Sequence, residues 1–301
     1  MDNRPFSGPA DLEALKAFQS DALATGSHAG LMHPGDAVHR VESLYRRHDP
    51  NELVRIWEDD AGIAGWVMVS PNFAAFEIQV HPGRPELNAE LVTWGFEAAA
   101  TYITENGIDK DHVTADGYAE DAARIEALSA AGFTRIGGDS YIETHRQVEP
   151  LPEVRLPTGY KARTVYGPED AELLADVHNG AFSSSWTGEG YAERMSWPGY
   201  DPDREIVIEA PDGTLAAFTI VWFDRRNGIG LFEPVGVDSS HRRLGLGQAI
   251  MGLGLHRMAD EGMTTAWVTH EGSNRASKGL YAAAGFTQRS VADDWTKPIE
   301  S

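Results

Sequence analysis

The sequence predicts an α/β (α+β) chain made of two tandem domains, each with one sheet partly covered by helices. Three features carry that expectation. Apolar runs turn back on themselves at Asp and Gly as hairpins. Capped amphipathic stretches alternate with those runs. The whole order of elements is also written twice.

Length and composition set the bounds. At 301 residues the chain is long enough for two domains, and 42% apolar residues suffice for filled cores. The net charge of −21 argues against nucleic acid or an anionic membrane as the main partner. With no cysteine, disulfides, thiolate metal sites and cysteine nucleophiles are excluded, and no metal site is expected. The first residues lack the apolar core of a signal peptide, and no run reaches the ~18 apolar residues of a membrane span. The expectation is a cytoplasmic protein.

The repeat begins early. "GPADLEAL" (Gly8 to Leu15) returns as "GPEDAELL" (Gly167 to Leu174), each four residues after an arginine, Arg4 or Arg163. Gly-Pro followed by an acidic residue is turn and cap chemistry opening a helix. The hairpins "WEDDAGIAGWVMV" and "IEAPDGTLAAFTIV" follow, and "AAGFTR" (Ala130 to Arg135) matches "AAGFTQ" (Ala283 to Gln288). Between the copies, "VEPLPEVRLPTG" carries three prolines and suits an extended linker. The expected domains are residues 1–148 and 159–301, with a Pro-rich linker at 149–158.

In the second copy, "IGLFEPVGV" (Ile229 to Val237) reads as a strand, with Leu231, Glu233, Val235 and Val237 on one face by the two-residue period. "DSSHRR" is a turn, and from Leu244 a helix runs to about Gly262, with Leu246, Ile250, Leu253 and Met258 near one face. Its start holds Arg242, Arg243, Gly245 and Gly247. Arginine has the wrong sign for a helix N-terminus, and glycine costs about 1 kcal/mol inside a helix. Both choices are explained if the bare N–H groups receive an anion that the arginines neutralise. The plainer alternative is a glycine pair that permits tight packing.

Among phosphate-binding patterns, a Walker A loop fails because Gln248 follows Gly247. A dinucleotide fingerprint is weakened by Ile250 in its third glycine position and by the long connection after Val237. The remaining pattern, Arg-x-x-Gly-x-Gly after a strand and opening a helix, is met by Arg242, Gly245 and Gly247. Downstream, "AWVTHEGSNRASKGLYAAAGF" supplies Asn274, Tyr281, Gly285 and Phe286 in order. With these residues the chain resembles the GNAT superfamily of acyl-CoA-dependent N-acyltransferases, most clearly from about Tyr160 onward. The duplicated order resembles the family's tandem members with one working half.

The resemblance implies a mixed, mostly antiparallel sheet flanked by helices in each domain. It implies acetyl-CoA as cosubstrate and a primary amine of a small molecule as acceptor. The pantetheine arm would pair with the backbone of Val235, Gly236 and Val237. The pyrophosphate would meet the N–H groups from Arg243 through Leu244, Gly245, Leu246 and Gly247 to Gln248, beside Arg242. Asn274 would count with the cofactor-binding residues and would cap its helix or order the loop, not react. Tyr281 matches the family tyrosine near the sulfur, the acid for the leaving thiolate. An isolated acid in an apolar strand is costly unless used, which makes Glu233 the candidate base, with a solvent-facing side chain as the alternative. His178 and His270 are the next candidates. In the segment from His178 to Asp203, Trp186, Tyr191, Trp197 and Tyr200 alternate with Glu189, Glu193, Asp201 and Asp203, a pattern suited to a cationic amine. Packing of this loop is the alternative.

The first copy departs from the pattern. Arg84 matches the family arginine, but Leu87 takes the first glycine position and Leu128 stands where the second copy has Tyr281. Residues 1–148 therefore read as a degenerate copy. A homodimer is a further expectation. Two other classes stay open: an inactive acyl-CoA sensor and a nucleotide-binding oxidoreductase.

Overall fold

The computed structural model describes residues 1–26, 30–136 and 141–299. The chain divides into two compact units, one of Met1–Glu143 with Thr269–Asn274 and Gln288–Ser301, the other of Thr144–Val268 with Arg275–Thr287. Both are helix-flanked mixed sheets, as the sequence predicts.

The first unit opens with β1 (Asp2–Pro5), α1 (Pro9–Leu23), α2 (Pro34–Leu44) and α3 (Pro50–Leu53). Strands β2 (Val54–Asp59), β3 (Gly62–Ser70) and β4 (Ala75–Val80) lead to α4 (Asn88–Glu105), β5 (His112–Tyr118), α5 (Ala122–Ala130) and β6 (Thr134–Arg135). Strand β7 (Tyr141–Gln147) follows. The second unit contains β8 (Lys161–Thr164), α6 (Ala171–Phe182), α7 (Gly188–Arg194), β9 (Glu205–Glu209), β10 (Leu215–Asp224) and β11 (Ile229–Val237). It is completed by α8 (Leu246–Asp260), β12 (Thr265–Glu271) and α9 (Arg275–Ala283). The last strand, β13 (Thr287–Pro298), pairs antiparallel with β5, from Ala292 opposite Tyr118 to Pro298 opposite His112.

Neighbouring strands run β1-β2-β3-β4-β5-β13 in the first unit and β12-β11-β10-β9-β8 in the second. Among the described residues, β4 pairs parallel with β5 in the first unit and β11 parallel with β12 in the second, beside antiparallel neighbours. Among the described residues, no helix is long and apolar enough to cross a membrane.

The repeated arginine has a physical role. Arg4 binds Asp11 through two nitrogens (2.7 and 2.8 Å) and Glu58 at 2.8 Å, while Arg163 binds Asp170 (2.7 and 2.9 Å) and Glu209 at 3.1 Å. The same aspartate accepts the backbone N–H of Ser7 or Tyr166. Each trio ties the outer strand, the start of the first helix and the hairpin together, and bidentate geometry makes such pairs strong.

Helix α8 contains "MGLGL". A Cβ on Gly254 would lie 2.2 Å from Phe232 of β11, and one on Gly252 would lie 2.9 Å from Val154. Glycine thus lets the sheet approach one face of the helix and the Pro-rich segment approach another. That segment is packed, with Leu151, Val154 and Leu156 against the core and the Pro152 carbonyl 3.0 Å from His256 Nε2.

Candidate active site

Strand β11 is irregular where the site forms. Thr219 faces Val235 and Val221 faces Phe232, so β10 has one residue between those pairs and β11 has two, Glu233 and Pro234. This is a β-bulge, which bends its strand and breaks the alternation of faces. The expected face of Leu231, Glu233, Val235 and Val237 is corrected accordingly. Phe232, Val235 and Val237 pack with α8 residues in one core, and Leu231 is outside that cluster. The bulge carbonyls have their own donors: Trp222 Nε1 to Glu233 O at 2.8 Å, and Thr219 Oγ1 to Pro234 O at 3.0 Å.

Beyond the bulge the sheet opens. β11 pairs with β12 only from Ile229 opposite Thr265 to Leu231 opposite Trp267. The edge of Val235, Gly236 and Val237 therefore has no partner in β12. Gly236 is required on the other side, since its Cβ would stand 2.3 Å from Phe218 and 3.0 Å from Ala181 of α6.

The turn after β11 is held at its first half. Asp238 N donates to Ala216 O (2.9 Å), Asp238 Oδ1 accepts from Ser240 N (2.8 Å), and His241 N donates to Asp238 O (3.0 Å). Arg243 and Gly245 are left-handed, with φ of 64° and 81°. The helix begins at Leu246, two residues later than the sequence suggests, because left-handed Gly245 is its N-cap. No side chain caps it, and no acid stands in its first turn. Arg242, Arg243, Leu244 and Gly245 are exposed, and Leu246 is buried. Arg242 Nη2 contacts Ala181 O at 3.3 Å, and Gln248 Nε2 donates to Leu280 O at 3.1 Å. A Cβ on Gly247 would touch Leu280 at 3.1 Å, so this glycine also serves the α8–α9 contact. An uncapped helix start, a positive helix end and exposed arginines are the features that favour an anion in general.

Tyr281 of α9 is 6% exposed, and half-buried Glu233 lies close enough for its charge to act on it. Burial first, then that charge, push the phenol well above its ordinary value, opposed by a hydrogen bond with Ser277. The hydroxyl is therefore a neutral donor at physiological pH. Asn274 is exposed in the turn before α9, its N–H on Glu271 O at 3.1 Å. His270 is buried and bonds Glu271 O through Nδ1.

The aromatic segment is organised differently from the expected open cage. Tyr191 is fully buried, and the Arg194 guanidinium lies 5.1 Å from its ring centre and 5.8 Å from that of Tyr200. The protein's own arginine thus occupies those two faces. Trp186 packs edge-on to Tyr191, Trp197 is half-buried, and Glu189, Glu193, Asp201 and Asp203 are exposed. The hub beneath is Glu205, fully buried, which accepts from Tyr191 (2.5 Å) and Tyr200 (2.9 Å). Burial alone would raise its pKa, but His178, Arg194 and Tyr191 together lower it, so it is a carboxylate. His178, 3.0 Å from Tyr191 Oη and stacked on Phe218 at 3.8 Å, is kept neutral by burial. Glu205 did not stand out in the sequence; its signal was an acid heading the apolar run "IVI".

The corresponding places in the first unit are closed. The register of β3 and β4 runs without a bulge from Gly65–Val80 to Ser70–Ala75. Ile78 O accepts from Arg124 Nη2 (3.0 Å) and Gln79 Nε2 (2.9 Å), which occupies the edge that β4 turns away from β5. Arg84 is paired with Asp59 (2.6 Å) and Glu86 (3.0 Å). Leu87 is buried at the end of a tight turn before α4, and Leu128 is buried.

Comparison with known proteins gives the family. The model of the acetyltransferase (GNAT) family matches residues 171–286. Mycothiol acetyltransferase of Thermomonospora curvata is 32% identical over 97% of both chains. The chain belongs to the GNAT acetyltransferase family. A second mycothiol acetyltransferase, from Thermobispora bispora, is 29% identical over 94% of this acetyltransferase and 95% of its own length. In fold, the acetyltransferase is similar to a tandem GNAT protein from the clavulanic acid biosynthesis pathway (TM-score 0.66, 17% identity, covering 100% and 99% of the two chains). It is also similar to a GCN5-related N-acetyltransferase from Sphaerobacter thermophilus (TM-score 0.65, 18% identity, 100% and 96%). It is an N-acetyltransferase of tandem type.

Proposed function

We propose that the chain moves an acetyl group from acetyl-CoA to a primary amine of a small molecule, at one site in residues 159–301, and that residues 1–148 do no chemistry. The observation that carries this is the pairing of an open β11 edge at Val235–Val237 with an uncapped α8 flanked by Arg242 and Arg243. The edge suits the amides of a pantetheine arm, and the helix start suits a pyrophosphate. In the first unit, Arg124 instead bonds the Ile78 carbonyl of β4, and buried Leu87 stands at the position of the first signature glycine.

The amine attacks the thioester carbonyl in its neutral form, and Glu233, in the bulge, takes the proton that the nitrogen sheds as the N–C bond forms. The N–C bond forms as the carbonyl oxygen gains negative charge. Collapse of this tetrahedral intermediate breaks the C–S bond, and Tyr281 gives its proton to the departing thiolate. A phenol that keeps its proton at physiological pH is available for that second role and cannot serve in the first. Asn274 orders the loop that leads into α9.

Calorimetry with acetyl-CoA tests the donor half: one site per chain is expected, and two equivalent sites would overturn the division of labour. A screen of primary amines with acetyl-CoA then tests the acceptor half. The relatives' name, mycothiol acetyltransferase, supports starting that screen with mycothiol-type amines, ahead of aminoglycosides and simple amines. Stabilisation by NAD and not by acetyl-CoA would refute the transferase reading.

A further inference from the structure

The turn that carries the arginines is steadied from outside by one side chain. Tyr160 stands at the end of the Pro-rich segment, just before β8, and packs against the core that includes α8. Its hydroxyl lies 2.9 Å from His241 Nδ1, and the two rings meet edge-on with centres 5.9 Å apart. His241 immediately precedes Arg242 and the exposed stretch through Gly245. From His241 to the helix, two left-handed residues hold the turn in a shape that most sequences avoid. Upstream, the turn is tied by Asp238 to Ala216 and to Ser240. Tyr160 supplies a fixed point on the residue directly before Arg242, and it does so from the segment that Gly252 allows to lie on α8.

We propose that Tyr160 is a positioning residue for the phosphates of the acyl donor, acting through His241. The inference rests on the reading of this turn as the pyrophosphate site. With the phenol donating to Nδ1, the imidazole ring is fixed and with it the backbone that leads into Arg242. Without that bond the turn must be ordered when the phosphates arrive, and ordering then weakens binding. A net hydrogen bond of ordinary strength corresponds to a change of about fivefold in a dissociation constant. The effect should fall on the phosphate-bearing part of the donor alone.

The test uses the full chain and calorimetry with CoA. Tyr160→Phe should raise the Kd for CoA about fivefold, with maximal turnover at saturating acetyl-CoA unchanged. Stabilisation of the folded chain by millimolar S-acetylpantetheine, which lacks the pyrophosphate, should be the same in variant and wild type. His241→Asn keeps an acceptor close to the Nδ1 position and should retain most of the affinity, whereas His241→Ala should match Tyr160→Phe and the double variant should add little. Unchanged CoA affinity in Tyr160→Phe, or equal loss with S-acetylpantetheine, would overturn the proposal while leaving the donor site intact. A wild-type chain that binds no CoA would instead refute the donor reading, and this inference with it.

Discussion

Tyr281→Phe separates a proton donor from a packed aromatic residue. The ring is nearly buried and lies 6.2 Å from that of Phe286, and phenylalanine keeps both the volume and that contact. What is lost is one oxygen, with its hydrogen bond to Ser277 and its place near Glu233. The stability cost is that of a single buried hydrogen bond, about 1 kcal/mol, or roughly 2–4 °C in the melting temperature of a unit this size. The catalytic cost should be far larger, because general-acid assistance is worth about 10²–10⁴-fold in kcat. The Kd for acetyl-CoA should stay within about twofold, since the contacts assigned to the donor lie on β11 and α8. The wild-type pH profile carries the sign. Burial and the Glu233 charge hold the phenol above its ordinary value, so Tyr281 keeps its proton as pH rises and kcat should show no alkaline fall from this group below about pH 10. Steady-state rates, calorimetry and a melting curve on the same preparations decide the matter. A kcat within about threefold of wild type, with a shifted melting point, would remove Tyr281 from the chemistry.

Other outcomes follow from the same geometry. Gly254→Ala gains about 1 kcal/mol of helix propensity but drives a methyl to 2.2 Å from Phe232, an overpacking cost of about 1–3 kcal/mol, so denaturant titration should show a net loss. A Cβ at Gly245 would meet no atom within 4 Å, so the folding cost of Gly245→Ala is the about 1–2 kcal/mol of a left-handed non-glycine residue. Its acetyl-CoA affinity should nonetheless fall at least about tenfold if the phosphates approach this backbone, and unchanged affinity would place them elsewhere. Asp116 is raised to about 7 by burial and then by Glu77, against the lowering effect of Arg40 and Arg124, with Asp294 adding to the rise. A carboxyl raised on folding contributes stability below its unfolded value near 4 that is lost as pH climbs toward about 7. Asp116→Asn should therefore stabilise the chain at pH 8, by about 1–3 kcal/mol, and do little at pH 4. An unaltered pH dependence of the melting temperature would refute that assignment.

How far the sequence discloses this site depends on the range of the interaction. The strand Ile229–Val237 is legible to the residue because its apolar run is bounded by a turn and by the Asp-Ser-Ser capping stretch. The repeated Arg4 and Arg163 mark the duplication, although their partners Glu58 and Glu209 come from hairpins some fifty residues away, a distance at which periodicity is silent. The bulge at Glu233 and Pro234 follows the same logic. A two-residue period assumes one partner per residue, and an extra residue shows only once β10 is laid beside β11. The aromatic segment misleads for a related reason. Alternating tyrosines and carboxylates look like a cage for a cation, but the cation facing Tyr191 and Tyr200 is Arg194, three residues along the same helix from Tyr191, and the carboxylate at the centre is Glu205 on the next strand. Composition shows that an aromatic face has a partner, and only packing tells whether the chain supplies it. The glycines of α8 make the argument in reverse. Gly245 is legible as a break at the start of a helix, and it is the left-handed N-cap, whereas Gly252 and Gly254 have no local use at all. Their reason is the approach of Val154 on one side and Phe232 on the other, a fact of tertiary structure that fixes where α8 lies.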